Sequence, residues 1–422
     1  MDTFDGTLNG KPRHARSRFN PTRRKEVQEV RKIGACIRCR ILRKNCGTGD
    51  PCDTCRKVLA PRVWRTGCVR TRLHEQLDLY SAGVQVVLSQ NRINMMKSSF
   101  HLYNHANSVE LSHFPESPHK IVSSTLGTQF SRGENEDSSS TPNDVDSWHQ
   151  VLMIDQDAVD LPLKVEAYMR DVMPLFIERE PSKFMRITLE TAVKMVEEKE
   201  NDLLKKSLDL WGFVESIDRE RQWIIKEIPM SEGEEPRYIK ETQNASAADI
   251  YTMMCMQLNA AAERRANGTS RSLLSLMHRI LQDSKIKVGF SMYLTAIIFL
   301  NCVEKSTWAF KAWEQDHLRP GWPLERDPSV FTDQGGNLAS LLRMLLGIRK
   351  ALPQTMRREG DGKLATADVD PEVARYFKEI DLDCKYRDAL FPSCSGLSGT
   401  WMLTLCRRHH CHSSKGVAVF AS

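Results

Sequence analysis

The sequence predicts a mostly α protein: a small cysteine-rich metal-binding module near the N-terminus, a disordered linker and an all-α C-terminal region. Three observations predict it. Six of the twelve cysteines fall between positions 36 and 68. The stretch 104–148, which includes SRGENEDSSSTPNDVDS, is rich in Ser, Asn, Pro, Glu and Asp, and such a composition buries too little to fold. From about residue 160 to 390, apolar residues recur at helical spacing while strand alternation is scarce. With 422 residues, 41% hydrophobic and 27% charged, the chain is long enough for two or three domains of ordinary globular composition with some disordered parts.

Residues 1–19 are polar and basic and are expected to be disordered. Asn20-Pro21 is a helix-start signal, with Asn20 as cap and Pro21 at the first helical position. Val27, Val30 and Ile33 then give a short helix one apolar edge.

The cysteines Cys36, Cys39, Cys46, Cys52, Cys55 and Cys68 are spaced C-x2-C-x6-C-x5-C-x2-C-x12-C. Such density in a chain with no apolar signal-peptide core at its N-terminus favours metal over disulfides. Zinc takes four ligands in a tetrahedron, so one ion would leave two cysteines idle. Two ions need eight ligand positions, and six thiolates fill them only if two thiolates bridge. A two-zinc, six-cysteine cluster is the natural reading; a zinc ribbon, a RING or a disulfide knot are the alternatives. His74, the first histidine after the cysteines, lies outside the ligand spacing. A weak repeat, Cys36-x2-Cys39-Arg40 and Cys52-x2-Cys55-Arg56, suggests that each half runs from a metal-bound turn into a short helix, whose free amides and dipole favour a thiolate at its start.

The segment RKIGACIRCRILRKNCGTGDPCDTCRKVLAPRVWRTGCVRTRL resembles the DNA-binding domain of fungal binuclear zinc-cluster transcription factors. The first five cysteines, the basic residues among them and Pro51-Cys52 carry the resemblance; the last gap of twelve residues is longer than is usual in that family. The resemblance implies that Cys36 and Cys52 bridge two zinc ions, that Cys39 and Cys46 complete one site, and that Cys55 and Cys68 complete the other. It also implies that residues just before the third cysteine read a CGG-like triplet. By position, Arg43 leads and Lys44 follows, while Leu42 departs from a commonly basic position. Arg38, Arg40, Arg56 and Lys57 are then phosphate contacts or counter-charges to the cluster. The spacing of Arg40, Arg43 and Lys44 would set three cations on one face of the first cluster helix, which a purely structural staple does not need.

Charge agrees. Residues 1–75 hold 19 Lys and Arg against 7 Asp and Glu, whereas the remainder holds 41 against 47. A basic end on an acidic body suits a polyanion. Arg23-Arg24-Lys25, with Lys11 and Arg13 upstream, reads as a nuclear-import signal, as contact with a DNA backbone, or as solvated surface.

Beyond the cluster, Leu73, Leu77, Tyr80, Val84 and Val87 form a seam of about two heptads, interrupted by Gly83 and shorter than a confident coiled coil. It could be a short coiled coil, which in the resembled family often dimerises the protein, or an amphipathic linker helix. Four apolar stripes follow in the region 149–391: Leu204, Leu208, Trp211, Val214; Ile250, Met254, Leu258, Ala261; Leu273, Met277, Ile280, Leu281; and Leu338, Leu341, Leu342, Leu345, Ile348. The last is expected to open at Gly335-Gly336-Asn337 and to close at Pro353. The stretch Val288–Val303 reads as a buried helix, too short and too polar for a membrane span. Residues 392–422, with Cys394, Cys406, His409, His410, Cys411 and His412, form an atypical tail whose spacing matches no zinc module.

No phosphate-binding loop, GxGxxG, HExxH or GxSxG motif is present, so no enzyme is expected. The domains expected are a basic N-terminus (1–19), the zinc-cluster domain (20–72), a linker or short coiled coil (73–103), a disordered linker (104–148), a helical regulatory region (149–391) and the tail (392–422). The expected function is sequence-specific regulation of RNA polymerase II transcription in the nucleus. The partners are double-stranded DNA and the transcription machinery, with a homodimer allowed and no membrane. The alternatives are a zinc-stapled protein-interaction module and an enzyme with an auxiliary zinc domain.

Overall fold

Asn20 starts the first element as its side chain suggests. In the computed structural model its Oδ1 accepts the Arg23 amide at 2.7 Å, and Pro21 sits in the first turn of α1 (Pro21–Ile33), where its missing N–H costs nothing. The structure describes residues 20–58, 67–131, 147–231, 233–241, 249–283 and 285–382. The expectations for 1–19, for most of the long gap before Cys68, for 132–146 and for the tail 392–422 lie outside the described residues. The chain divides into two compact units at Thr71–Arg72.

The first unit continues from α1 into two short helices, α2 (Ile37–Ile41) and α3 (Asp53–Arg56). Each is capped by a cysteine, Cys36 and Cys52, as the repeat suggested.

The second unit contains, in order, α4 (Val84–Ser99), β1 (Tyr103–Ser112), β2 (Ile121–Ser131), β3 (Ser147–Ile154), α5 (Leu161–Glu178), α6 (Lys183–Glu198), α7 (Asp202–Asp218), β4 (Ile224–Ile228), β5 (Arg237–Ile239), α8 (Ile250–Gln282), α9 (Phe290–Ala312), α10 (Pro328–Ile348), β6 (Thr355–Arg357), β7 (Leu364–Thr366) and α11 (Pro371–Ile380). Five strands form an antiparallel sheet, order β3-β2-β1-β4-β5, curled into a half-barrel; β6 and β7 form a separate ladder.

That sheet overturns the all-α expectation for the C-terminal region, and it overturns the disordered linker where β1 and β2 run. The physical reason is an inverted pattern. On β2 the buried positions include Ser123, Thr125, Gly127 and Thr128, while Val122 is 51% exposed. On β4, Glu227 is buried alongside Ile225. A polar-inward face defeats a reading that looks for apolar-in, polar-out alternation. Several of the buried polar groups find partners. Thr125 Oγ1 donates to Asn107 O at 2.7 Å, Thr128 Oγ1 to His101 O at 2.9 Å, and Asn107 Nδ2 to Glu227 at 2.8 Å. Gly127 marks an irregularity in the β2–β3 register, where a Cβ would stand 2.6 Å from Gln150 O.

The helical stripes are where the sequence placed them, with two changes. The second and third stripes are one helix, the 33-residue α8. The fourth helix starts at Asp327-Pro328, not at Gly335, because the Asp327 carboxylate accepts the Ser329 amide at 3.0 Å. The glycine pair lies inside α10; burial of Phe331 and Leu338 on either side outweighs about 1 kcal/mol of helix propensity per glycine. The apolar stretch Val288–Val303 lies in α9 from Phe290 onward, and the residues from Met292 to Glu304 are all buried. No helix among the described residues is long and apolar enough to cross a membrane.

The expected seam is not one helix. Leu73 opens a 3-10 turn, turns follow, and Gly83 (φ 73°) caps α4. Leu73, Leu77, Tyr80 and Val84 are all buried, and the turn and α4 pack on α8 of their own chain. Glu263 of α8 accepts the Val86 amide at 2.9 Å, taking the capping role that a glycine lacks. At the sheet's β3 edge, the buried Gln257 of α8 accepts the Ile154 amide at 2.8 Å and donates to the Ile154 carbonyl at 2.9 Å. A side chain there does what another strand would do.

Candidate metal centre and nucleic-acid interface

In the first unit the cysteines make their own small core. Cys36, Cys39 and Cys52 are fully buried, with Cys46, Cys55 and Cys68 packed against them. All six are free thiols. The Sγ atoms of Cys36, Cys39, Cys52 and Cys55 lie within 4.8 Å of one another, so this group could hold a metal ion.

The distances test the fit. Cys39 and Cys52 Sγ are 3.7 Å apart, as are Cys36 and Cys55 Sγ. Thiolates on one zinc at about 2.3 Å would span a tetrahedral edge of about 3.8 Å, whereas a disulfide needs about 2.05 Å. The donor set therefore fits a thiophilic, tetrahedral cation.

The two halves are equivalent. Cys36 caps α2 and Cys52 caps α3. The Cys36 amide donates to Cys46 Sγ at 3.4 Å, and the Cys52 amide donates to Cys68 Sγ, also at 3.4 Å. Cys36 thus corresponds to Cys52, Cys39 to Cys55, and Cys46 to Cys68. Cys52 interacts with Cys39, Cys46, Cys55 and Cys68, and Cys36 with Cys39, Cys46, Cys55 and Cys68.

Burial raises Cys39 to about 12 and Cys68 to about 11, and pushes Cys36 up further. Burial would raise Cys52 too, but the Cys55 amide and the thiols of Cys55, Cys39 and Cys46 bring it down to about 6. Packed this closely, most of these sulfurs keep their protons unless a cation compensates, so metal uptake would release protons.

One residue that the sequence reading missed ties the loops together. Arg70 donates to the carbonyls of Gly34 at 2.7 Å, Gly47 at 2.6 Å and Gly49 at 2.8 Å. It joins the end of α1 to the loop before Cys52. Composition and spacing do not mark it; only the folded loops bring three carbonyls to one guanidinium.

The basic residues separate into two groups. Arg38 turns inward, with Nη1 3.7 Å from Cys55 Sγ, as a counter-charge to the sulfurs. Arg56 is exposed, donates to Pro51 O at 3.2 Å and lies 3.8 Å from the Asp53 carboxylate. Arg40, Arg43, Lys44 and Lys57 are exposed. Because α2 stops at Ile41, Arg43 and Lys44 follow the helix instead of sharing its face with Arg40. The stop is a left-handed turn: Arg43 has φ 51°, and the Lys44 amide closes back on Cys39 O at 2.8 Å. Glycine is the usual residue there, so an arginine carries a conformational cost.

A family model described as KpeA transcription factor matches residues 156–353, from just before α5 to just past α10 and a little under half of the chain. The transcription factor kpeA of Aspergillus oryzae is 40% identical over 57 residues, 14% of this chain and 7% of that protein. The satratoxin biosynthesis SC3 cluster transcription factor SAT20 of Stachybotrys chartarum is 39% identical over 69 residues, 16% of this chain and 10% of that protein. The chain is similar to fungal transcription factors. This agrees with the zinc-cluster resemblance carried by the cysteines. The alignments span a tenth or less of the curated relatives' length. No solved structure matches.

Proposed function

We propose that this protein is a sequence-specific DNA-binding regulator of RNA polymerase II transcription that acts in the nucleus. Its first unit would be a binuclear cluster of two zinc ions. Cys36 and Cys52 would bridge them, with Cys39 and Cys46 completing one site and Cys55 and Cys68 the other. The observation that carries the reading is the equivalence of the two cysteine halves, in which Cys36 and Cys52 each meet the other thiols. Zinc would supply folding energy and the positive charge that lets six closely packed sulfurs ionise.

Arg43, with Lys44 beside it, would read a guanine-rich, CGG-like triplet through O6 and N7 in the major groove. The left-handed conformation of Arg43 supports that role, because a residue at a position suited to glycine needs a reason to be arginine. Arg40, Arg56 and Lys57 would contact phosphate and Arg38 would balance the sulfurs. The second unit would be the regulatory body that meets the transcription machinery, and the similarity of residues 156–353 to a transcription-factor family supports this.

The test is a random-sequence selection with the zinc-loaded chain, followed by Arg43→Ala and Arg56→Ala. Arg43→Ala should cost roughly 1–3 kcal/mol and relax preference at one base pair. Arg56→Ala should weaken binding to all sequences alike. A selection that returns no preferred sequence sinks the proposal and favours a zinc-stapled protein-interaction module.

A further inference from the structure

The first unit contains a helix that its own core does not use. None of the thirteen residues of α1 is buried, and Ile33 is 50% exposed. Helices of this length are marginal in water without a packed face. Yet α1 is well specified at both ends: Asn20 caps it, and Gly34 ends it at φ 82°, which a β-carbon would strain. The Gly34 carbonyl is then held by Arg70, whose other bonds go to Gly47 and Gly49 in the cysteine loop. The helix is therefore tethered to the cluster at its C-terminal end.

Its charges are sorted. At about 100° per residue, Arg24, Lys25, Gln28, Arg31 and Lys32 fall within an arc of about 120°, and Glu26, Glu29, Val27, Val30 and Ile33 fall outside it. Arg23, outside the arc, is paired with Glu26 at 2.7 Å. The side chains of the four cations within the arc have no ion-pair partner among the described residues. They extend along about 12 Å of helix, the axial rise of three to four phosphates on one DNA strand.

We propose that α1 is a second DNA-contacting element. Its Arg24, Lys25, Arg31 and Lys32 face would lie along the phosphates that flank the triplet, with the helix held in place through Gly34 and Arg70. This rests on the DNA-binding reading above and enlarges the site from a triplet to a triplet with a backbone flank. Duplex DNA is the occupant that fits: a one-sided row of cations with a single amide among them is complementary to a strand of phosphates. A second copy of this face would repel it.

The experiment uses the full zinc-loaded chain on a duplex that carries the selected triplet, with hydroxyl-radical footprinting and binding measured across salt concentrations. The variants are Arg24→Gln, Lys25→Gln, Arg31→Gln and Lys32→Gln combined, and separately Gln28→Pro, which breaks the helix and keeps every charge. Zinc content is measured on each and should match wild type. The combined variant should lose protection of one backbone flank and lower the salt slope by up to about 3.6, about 0.9 per phosphate contact, while its preference for the triplet stays within about twofold. Gln28→Pro should lose the same flank. If both variants keep the wild-type footprint and slope, α1 does not touch DNA. Loss of nuclear accumulation with that unchanged footprint would assign the cations to import instead. If only the combined variant loses the flank, the segment acts as an unstructured basic tail and the helical proposal fails. If wild type itself shows no preference for the triplet, the DNA-binding reading has failed, and this inference with it.

Discussion

Replacing Arg70 by methionine should loosen the whole cysteine module without touching a single sulfur. The guanidinium donates to three backbone carbonyls, at 2.7, 2.6 and 2.8 Å. A hydrogen bond from a charged donor contributes about 1.5–3 kcal/mol when desolvated. Arg70 is half-buried, its three bonds share one side chain, and the freed carbonyls would partly rehydrate, so the sum is discounted to about 2–4 kcal/mol. For a module whose folding and metal binding are one equilibrium, that appears as weaker metal affinity, by roughly 30- to 1000-fold. The assay is zinc transfer from the full chain to a colorimetric chelator of graded strength. Arg70→Lys should fall between wild type and Arg70→Met, since an ammonium keeps the charge but cannot fork to three acceptors. If Arg70→Met holds zinc within about threefold of wild type, the loops are secured by the metal alone and the energetic role argued for Arg70 is wrong.

Three further outcomes follow from other parts of the chain. Cys36→Ser and Cys52→Ser should each abolish zinc binding and unfold the first unit, since structural sites of this kind carry on the order of 10 kcal/mol, whereas Cys255→Ser, buried in α8, should leave zinc content unchanged in a metal assay. Gly127→Ala should destabilise the second unit by roughly 1–3 kcal/mol in urea denaturation, because its methyl group would meet the Gln150 carbonyl oxygen and the strand must shift. Burial raises Glu304 from an ordinary carboxylate value to about 8, so its contribution to stability is fully present below about pH 4.5 and is lost as pH rises through 8. Burial raises Glu263 to about 7, and burial with nearby Arg219 lowers His113 to about 3. Folded His113 is neutral well below pH 7, but Glu263 is only half-titrated there, so between pH 7 and 8 the wild-type slope carries both carboxylates and the difference from Glu304→Gln isolates Glu304. There Glu304 should contribute a loss of up to about 1.4 kcal/mol per pH unit, and Glu304→Gln should remove that share of the slope. An equal slope in the variant would show that the carboxylate is solvated.

The sequence alone determined the parts of this protein that depend on local chemistry. Cysteine spacing places six metal-seeking sulfurs in one short segment, and the fold gathers them into one small core. Asn20-Pro21 set the start of α1 because a cap acts within three residues. Apolar stripes such as Leu204 to Val214 marked helices because the 3.6-residue period is written in hydropathy. The tertiary structure decided the rest. The half-barrel sheet was illegible because its inward positions, among them Ser123, Thr125 and Glu227, are polar, and Thr125 and Glu227 find their partners across strands, while Val122 faces out. The seam from Leu73 to Val84 has the period of a coiled coil, yet α8 of the same chain covers it. Period records which residues are buried, not what buries them. Arg70 looks like any other basic residue in this segment and acquires its role when three loop carbonyls converge on it. Arg43 was marked by its position, but its left-handed backbone came only with the stop of α2 at Ile41. Both events depend on contacts between residues far apart in the chain or on the return of the loop to the cluster, and neither leaves a periodic signature.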